Sequence, residues 1–273
     1  MDFDPSKFLS QNGGKHAQTS RLIILNQPIQ SFERLARIWE NTSYHICADG
    51  GANFLLDLVS RRANAKQDYL PELIHGDLDS ISDKVRKHYE DCGVKVSQDS
   101  SQYRTDFAKA VLVLTKGYKD TDCPDLDELG PSLEQGVAQD VIVMSTMSGR
   151  LDQALGLLHE MLRECIRHGK GSSHPVCIYF VSEQSVSFVL PVGKNTIRGL
   201  DPRKGLFKKY AGILPIYGPA RLTLKGFEWD VHDWETVMGG NVSTSNHILG
   251  DEVEVEVFDQ PVLFTVELAR FVP

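Results

Sequence analysis

Two textures divide the sequence, and together they predict an α/β fold with a mostly parallel sheet flanked by helices, followed by an all-β sandwich. Between Arg21 and Val181, short runs rich in Ile and Val alternate with stretches of helical periodicity. After about Ser182 the helical period disappears, and short alternating strands punctuated by Gly and Pro take over. Strands that alternate with helices form parallel sheets covered on both faces, and such sheets take their ligands beyond the carboxyl ends of the strands. The expected limits are an arm over 1–20, a Rossmann-like α/β domain over 21–183 and a β-sandwich over 184–273.

The elements follow in order. "MDFDPSKFLSQNGGKHAQTS" is polar, carries Pro5 and Gly13-Gly14, and lacks the charged-then-apolar layout of a secretory signal, so it reads as a flexible arm. "RLIILN" and "YHICAD" read as strands, and between them Ile29, Phe32, Leu35, Ala36 and Trp39 share one helical face. "CADGGANFLLDL" turns from strand to helix, and Leu73 to Gly76 reads as a further buried strand. Phe107, Ala110, Val111 and Leu114 mark another helix. The acidic stretch from Lys119 to Gly136 carries two prolines and reads as a surface insertion; it lacks the central glycine and terminal Glu spacing of an EF-hand. "DVIVMST" and "VCIYFVS" are strands around the longest helix, whose stripe is Leu151, Ala154, Leu155, Leu158, Met161, Leu162 and Cys165, with Gly169 placed to end it. Beyond it come "SVSFVLPVG", "GILPIYGPARLTLKGF", "DEVEVEVFD" and "VLFTVELARF", all of strand character.

Composition removes several functions. A net charge of -8 and a pI near 5.6 argue against nucleic acid, because affinity for a phosphate backbone is built from clustered Lys and Arg. No apolar run approaches the roughly 20 residues of a membrane helix. The five cysteines are odd in number and show no Cys-x-x-Cys spacing, which points to a reduced, cytoplasmic protein without structural zinc.

The chemistry concentrates at strand ends. "GDLDS" sets Asp77 and Asp79 one residue apart, and such a pair repels itself unless a cation neutralises it or one member takes a proton. Magnesium, which prefers oxygen ligands and bridges carboxylates to substrate phosphates, is the natural cation. Taken alone, the pair is equally explained by Asp79-Ser80 capping a helix from near Ile81. Three further strand ends shift the balance. Asp49 precedes Gly50-Gly51, where backbone N–H groups can approach an anion; Thr105, Asp106 and Lys109 open one helix; Gly149, Arg150 and Asp152 open another. Capping has no need of Lys109 and Arg150, whereas carboxylates, a lysine, an arginine and glycines on one rim describe a metal–polyphosphate site.

"ADGGAN", "GDLDS", "TDFAKA", "SGRLDQAL", "GFEWDV" and "GGNVSTSN", in this order and spanning both predicted domains, resemble the thiamine pyrophosphokinase family. The resemblance implies transfer of a diphosphoryl group from ATP to the hydroxyl of thiamine, giving AMP and thiamine diphosphate. It also implies a Mg²⁺ requirement and a homodimer with active sites shared between subunits. Carried over by position, Asp77, Asp79 and Asp106 would hold Mg²⁺, and Asp49, Gly50, Gly51 and Asn53 would border the nucleotide. Thr105, Lys109, Arg150 and Asp152 would line the phosphate and nucleotide region, with Lys109 and Arg150 cancelling charge on the transferring oxygens. Trp229, Ser243, Ser245 and Asn246 match the thiamine motifs, and Gln102 is available to the substrate. Where many relatives read Asp-Gln-Asp-x-Thr-Asp, this chain reads Ser101-Gln102-Tyr103-Arg104-Thr105-Asp106, so two family carboxylates are missing. A tryptophan face suits thiamine, which pairs a cationic thiazolium with a flat aminopyrimidine, although Trp229 also alternates as a core strand residue should. Two other readings stay open: an aspartate-nucleophile phosphohydrolase, because Asp77-Leu78-Asp79 approximates the Asp-x-Asp pattern of haloacid-dehalogenase-like enzymes, and a sensor that binds both ligands without releasing AMP.

Overall fold

The chain opens on a two-residue strand, β1 (Asp2–Phe3), and then enters the expected alternation: β2 (Ser20–Ile24), α1 (Phe32–Glu40), β3 (His45–Ala48), α2 (Gly51–Ser60), α3 (Ala65–Asp68), β4 (Leu73–Gly76), α4 (Asp83–Asp91), β5 (Lys95–Gln98), α5 (Asp106–Thr115), β6 (Gln139–Met144) and α6 (Leu151–Arg167). Strands follow: β7 (Val176–Val181), β8 (Ser185–Leu190), β9 (Gly193–Ile197), β10 (Phe207–Leu214), β11 (Ala220–Lys225), β12 (Val231–Thr236), β13 (Ser243–His247), β14 (Val253–Val257) and β15 (Val262–Leu268). This computed structural model describes residues 1–11, 17–62, 65–115, 131, 138–145, 150–168 and 175–270. Most of the acidic insertion, together with Gly149 and Gly169, lies outside the described residues.

The chain divides into two units, Gly14–Ile178 and a second made of Met1–Gly13 with Tyr179–Pro273. The division falls inside β7, a few residues before the expected boundary. Residues 1–11 also depart from the expected arm: Phe3, Phe8 and Leu9 are buried, and β1 pairs in parallel with β9, Phe3 opposite Ile197. The average polarity of the segment conceals three large apolar side chains, and these are the ones that pack.

In the Gly14–Ile178 unit, strands β6, β2, β3, β4 and β5 lie in that order, all parallel. The inner strands are buried on both faces, Leu22, Ile23 and Ile24 as fully as Val141, Ile142 and Val143, which explains why they read as continuous apolar runs, whereas the edge strand β5 is partly exposed. Successive strands β2 to β5 are laid down in one direction, and β6 returns to the other side of β2. The order therefore reverses between β2 and β6, and a crevice opens at the carboxyl ends there. Helix α5 is buried on every side from Phe107 to Thr115, as a helix at the centre of such a unit must be.

Helix α6 corrects one expectation. Leu151 and Leu155, read as part of its buried stripe, are exposed, whereas Glu160, Met161 and Glu164 are buried. Periodicity reveals a stripe but not how far along the helix it is covered: Met161 of the same stripe is buried and Leu158, Leu162 and Cys165 are half-buried, so only its first turns stand open.

In the second unit, β1, β9, β14, β11 and β12 form one sheet, while β13, β10, β15 and β8 are consecutive antiparallel neighbours in another. Phe3 from the first stacks on Phe188 from the second at 4.9 Å, and Phe188 meets Phe264 at 5.1 Å, an aromatic core suited to a sandwich.

Candidate active site

Three strand-end segments converge in the Gly14–Ile178 unit. Asp49 follows β3 with φ of 43°, and Leu78, between Asp77 and Asp79, turns the chain after β4 with φ of 63°. Gly76 permits the approach: a Cβ there would stand 2.8 Å from Asp49 Cβ and 3.0 Å from Asp106 Oδ1. Carboxylate oxygens of Asp49, Asp77 and Asp106 lie within 4.8 Å of one another. Lys109, one turn along α5 from Asp106 and 1% exposed, places Nζ 3.4 Å from Asp77 and 3.3 Å from Asp106. Three carboxylates against one ammonium leave an excess of negative charge. The Asp106 carboxyl is accordingly raised above its ordinary range, chiefly by burial, with Lys109 drawing it back and Asp77 and Asp49 pushing it further. Oxygen donors in excess of their counter-charge fit a hard divalent cation.

The cluster differs from the carried-over metal set in one member. Asp79 stands outside it, exposed, its carboxylate accepting a hydrogen bond from Ser80 Oγ at 2.8 Å. Asp49 takes its place. Asp49 is fully buried, and its two oxygens accept the backbone N–H groups of Ser80 at 3.0 Å and Ile81 at 3.1 Å. Burial raises its carboxyl above the ordinary range, and those two N–H groups oppose the rise. Asn53, expected beside the nucleotide, braces the same turn: Nδ2 donates to Ser80 O at 2.9 Å, and Oδ1 accepts from Ser82 N at 3.1 Å. Gly50 and Gly51 serve close packing. A Cβ on Gly50 would strike the Asn26 side chain at 2.4 Å, and one on Gly51 the Ile24 carbonyl at 2.3 Å. "ADGGAN" thus fixes the shape of "GDLDS" from behind.

Beyond the carboxyl ends of β2 and β3 lies a cavity of about 410 Å³, bounded by Leu25, Asn26 and Gln27 after β2, by Ala48 at the end of β3, by Thr105 to Phe107 at the head of α5, and by one face of α6. Asp106 belongs to both the cavity wall and the carboxylate cluster. Thr105 caps α5, accepting from Ala108 N at 3.2 Å. Asp152 lines the cavity and pairs at 2.6 Å with the exposed guanidinium of Arg150. Gln102 is exposed on the loop before α5, donating to Ser100 O at 3.4 Å. The sequence reading missed Gln27 and Glu160 on this wall, since an isolated polar residue carries no motif, and it passed over Gln153 inside "SGRLDQAL".

In the second unit Trp229 is 54% exposed, far too open for a core role. Asn246, 3% exposed, clamps it: Trp229 N donates to Oδ1 at 3.2 Å, and Nδ2 donates to Trp229 O at 3.0 Å. The His247 ring lies 4.8 Å from Trp229 and 5.2 Å from Tyr210, and hydrogen-bonds Glu228. Ser243 is half-buried on β13, and Ser245 is exposed with φ of 59°. Asn246 therefore positions the platform, and Ser245 stands at the surface.

Comparison with known proteins is consistent across sequence and structure. Residues 35–170 match the family model of the thiamin pyrophosphokinase catalytic domain, and residues 195–263 that of the thiamin pyrophosphokinase vitamin B1 binding domain. A thiamine pyrophosphokinase of Saccharomyces cerevisiae is 31% identical over 265 residues, covering 86% of this chain and 81% of the relative. Thiamine pyrophosphokinase 1 of Arabidopsis thaliana is 28% identical, covering 91% and 86%. The solved thiamin pyrophosphokinase from Candida albicans superposes with a TM-score of 0.80 at 26% identity, covering 98% of this chain and 92% of that one.

Proposed function

This chain belongs to the thiamine pyrophosphokinase family, and from that premise we propose how its carboxylate rim moves a diphosphoryl group from ATP to the hydroxyl of thiamine, releasing AMP. The observation that carries the reading is the convergence of Asp49, Asp77 and Asp106 over the buried Lys109, at the wall of a cavity of nucleotide size. Transfer of this kind needs in-line positioning and cancellation of charge more than covalent help.

The open carboxylates of Asp77 and Asp106 would hold Mg²⁺, with Asp49 behind them. When bound, the ion supplies charge neutralisation at the phosphate oxygens. Lys109 is a fixed cation that keeps Asp77 and Asp106 aimed at one point, because its ammonium is anchored to both. Asp49 and Asn53 hold the turn that carries Asp77 and Asp79. Thr105 and Asp152 border the nucleotide, and Arg150 meets its outer phosphates. Trp229, steadied by Asn246, offers its face to thiamine, with Gln102, Ser243 and Ser245 as polar partners.

A cytoplasmic homodimer, with the carboxylate rim of one chain serving the tryptophan of another, belongs to the same proposal and is supported by the family resemblance. Among the described residues no helix is long and apolar enough to cross a membrane. Incubation with Mg²⁺, ATP and thiamine, with identification of the nucleotide product, tests the reaction. AMP formed in step with thiamine diphosphate supports it; ADP or free phosphate overturns it.

A further inference from the structure

Asn246 holds Trp229 by its backbone alone, through the N–H and the carbonyl. A main chain fixed at two points still leaves the indole its own side-chain torsions. Trp229 is largely exposed, and an exposed ring that a ligand must first immobilise binds that ligand more weakly than one already in place.

His247 is what the indole meets. The imidazole lies 4.8 Å from the Trp229 ring, tilted at 50°. It also meets Tyr210, its cross-strand neighbour on β10, edge to face at 5.2 Å and 71°. Both separations fall in the range over which aromatic rings attract. The middle ring is itself pinned. The Glu228 carboxylate accepts from Nδ1, which sets the proton on that nitrogen, and Glu228 N donates to His247 O at 2.8 Å. With its side chain 18% exposed, the imidazole has little room to turn. A strand histidine that served the fold alone would pack against core, whereas this one stands between two rings that are both exposed.

We propose that His247 is a positioning residue for thiamine: its imidazole, tethered by Glu228 and backed by Tyr210, holds the Trp229 indole in the orientation that receives the flat ring of the substrate. His247 acts through Trp229, and Glu228 acts through His247. The proposal rests on the reading of Trp229 as the face offered to thiamine.

A double-mutant cycle on the full chain, assayed with Mg²⁺, ATP and thiamine, tests it. His247→Ala raises KM for thiamine about three- to tenfold, as expected when the ligand must immobilise a side chain, and leaves KM for ATP within about twofold of the parent. His247→Phe returns a ring to the gap between Trp229 and Tyr210 and brings KM for thiamine back to within about twofold of the parent. In a Trp229→Ala background, His247→Ala adds less than about twofold, because nothing is left to position. Glu228→Ala, whose parent side chain is half-exposed, raises KM for thiamine by at least about twofold and spares KM for ATP. Parental KM for thiamine in His247→Ala or in Glu228→Ala overturns the proposal. So does an equal rise for ATP, a Phe variant no better than the Ala variant, or a His247→Ala effect that survives in the Trp229→Ala background. If His247→Ala does not fold, Glu228→Ala and its combination with Trp229→Ala decide by the same criteria. Parental KM for thiamine in Trp229→Ala sinks the reading of the platform and this inference with it, whereas a raised value there beside a parental one in His247→Ala sinks this inference alone.

Discussion

Asp49 accepts two consecutive backbone N–H groups, Ser80 on Oδ2 and Ile81 on Oδ1, and so ties the end of β3 to the turn after β4. The turn carries Asp77 and Asp79, and Leu78 within it holds a left-handed φ that few side chains accept unaided. Asp49→Asn would set an amide N–H against one of those donors. A buried donor left unpaired costs about 1–3 kcal/mol, so urea unfolding should show a loss of that size, accompanied by faster hydrogen exchange at Ser80 and Ile81. Parental stability and unchanged exchange in Asp49→Asn would falsify the bracing role.

Asp77→Asn and Asp79→Asn separate what the sequence reading joined. Asp77 touches the Lys109 ammonium and sits within the carboxylate cluster, whereas Asp79 is exposed outside it. Asp77→Asn should lower kcat by more than about 100-fold, corresponding to several kcal/mol of lost charge stabilisation. Stability should move by less than about 1 kcal/mol, because Lys109 keeps Asp106 and one repulsion disappears. Asp79→Asn should cost turnover less than Asp77→Asn does. Steady-state kinetics and thermal unfolding of both variants in metal-free buffer decide it, and a more damaging Asp79→Asn would restore the set that the family motif alone suggested.

Much of the site is legible in the sequence because strand-end positions are local facts. An Ile/Val run announces where β3 and β4 stop, so Asp49 and Asp77 are found at once. Their division of labour is not local. Asp49 becomes a brace because Ser80 and Ile81, thirty residues away in sequence, direct their N–H groups at it. The same limit hides Glu160, and it leaves Leu151 and Leu155 exposed while Met161 of their stripe is buried: helical spacing fixes which residues share a stripe, while packing chooses how much of it is covered. Phe3, Phe8 and Leu9 are hidden by the polar residues around them.

The link between Glu72 and His45 should make stability depend on acid. Glu72 accepts from the His45 backbone N–H at 2.7 Å and contacts its Nδ1 at 3.0 Å, while the ring stacks on Trp39 at 3.7 Å. Burial raises the Glu72 carboxyl, but the His45 contacts outweigh it and the net direction is below the ordinary value. A carboxyl depressed in the folded state contributes stability above its unfolded value and loses it as pH falls through the folded one. With a side chain 42% exposed, the contribution belongs near the low end of a hydrogen bond's range, about 0.5–1 kcal/mol. Glu72→Gln should therefore unfold at a lower temperature than the parent at pH 7, and the two curves should meet as pH drops below about 4. A gap that persists undiminished at pH 3 contradicts the linkage.

Trp229 and Asp77 together test the assembly. Trp229→Ala should raise KM for thiamine and leave KM for ATP near the parental value, since stacking on a flat ring contributes roughly 1–3 kcal/mol and concerns the acceptor alone. If the carboxylate rim of one subunit serves the tryptophan of its partner, a dimer of one Asp77→Asn chain and one Trp229→Ala chain has both defects in one site and neither in the other. Random exchange makes about half the dimers mixed, and one site in two of these is intact, so about a quarter of wild-type activity should return at low thiamine. Mixing must be carried out under conditions shown to exchange subunits, for instance by mass spectrometry of differently tagged chains. Exchange without recovery means that each chain completes its own thiamine pocket, and a protein that stays monomeric at the assay concentration rules out the shared site from the start.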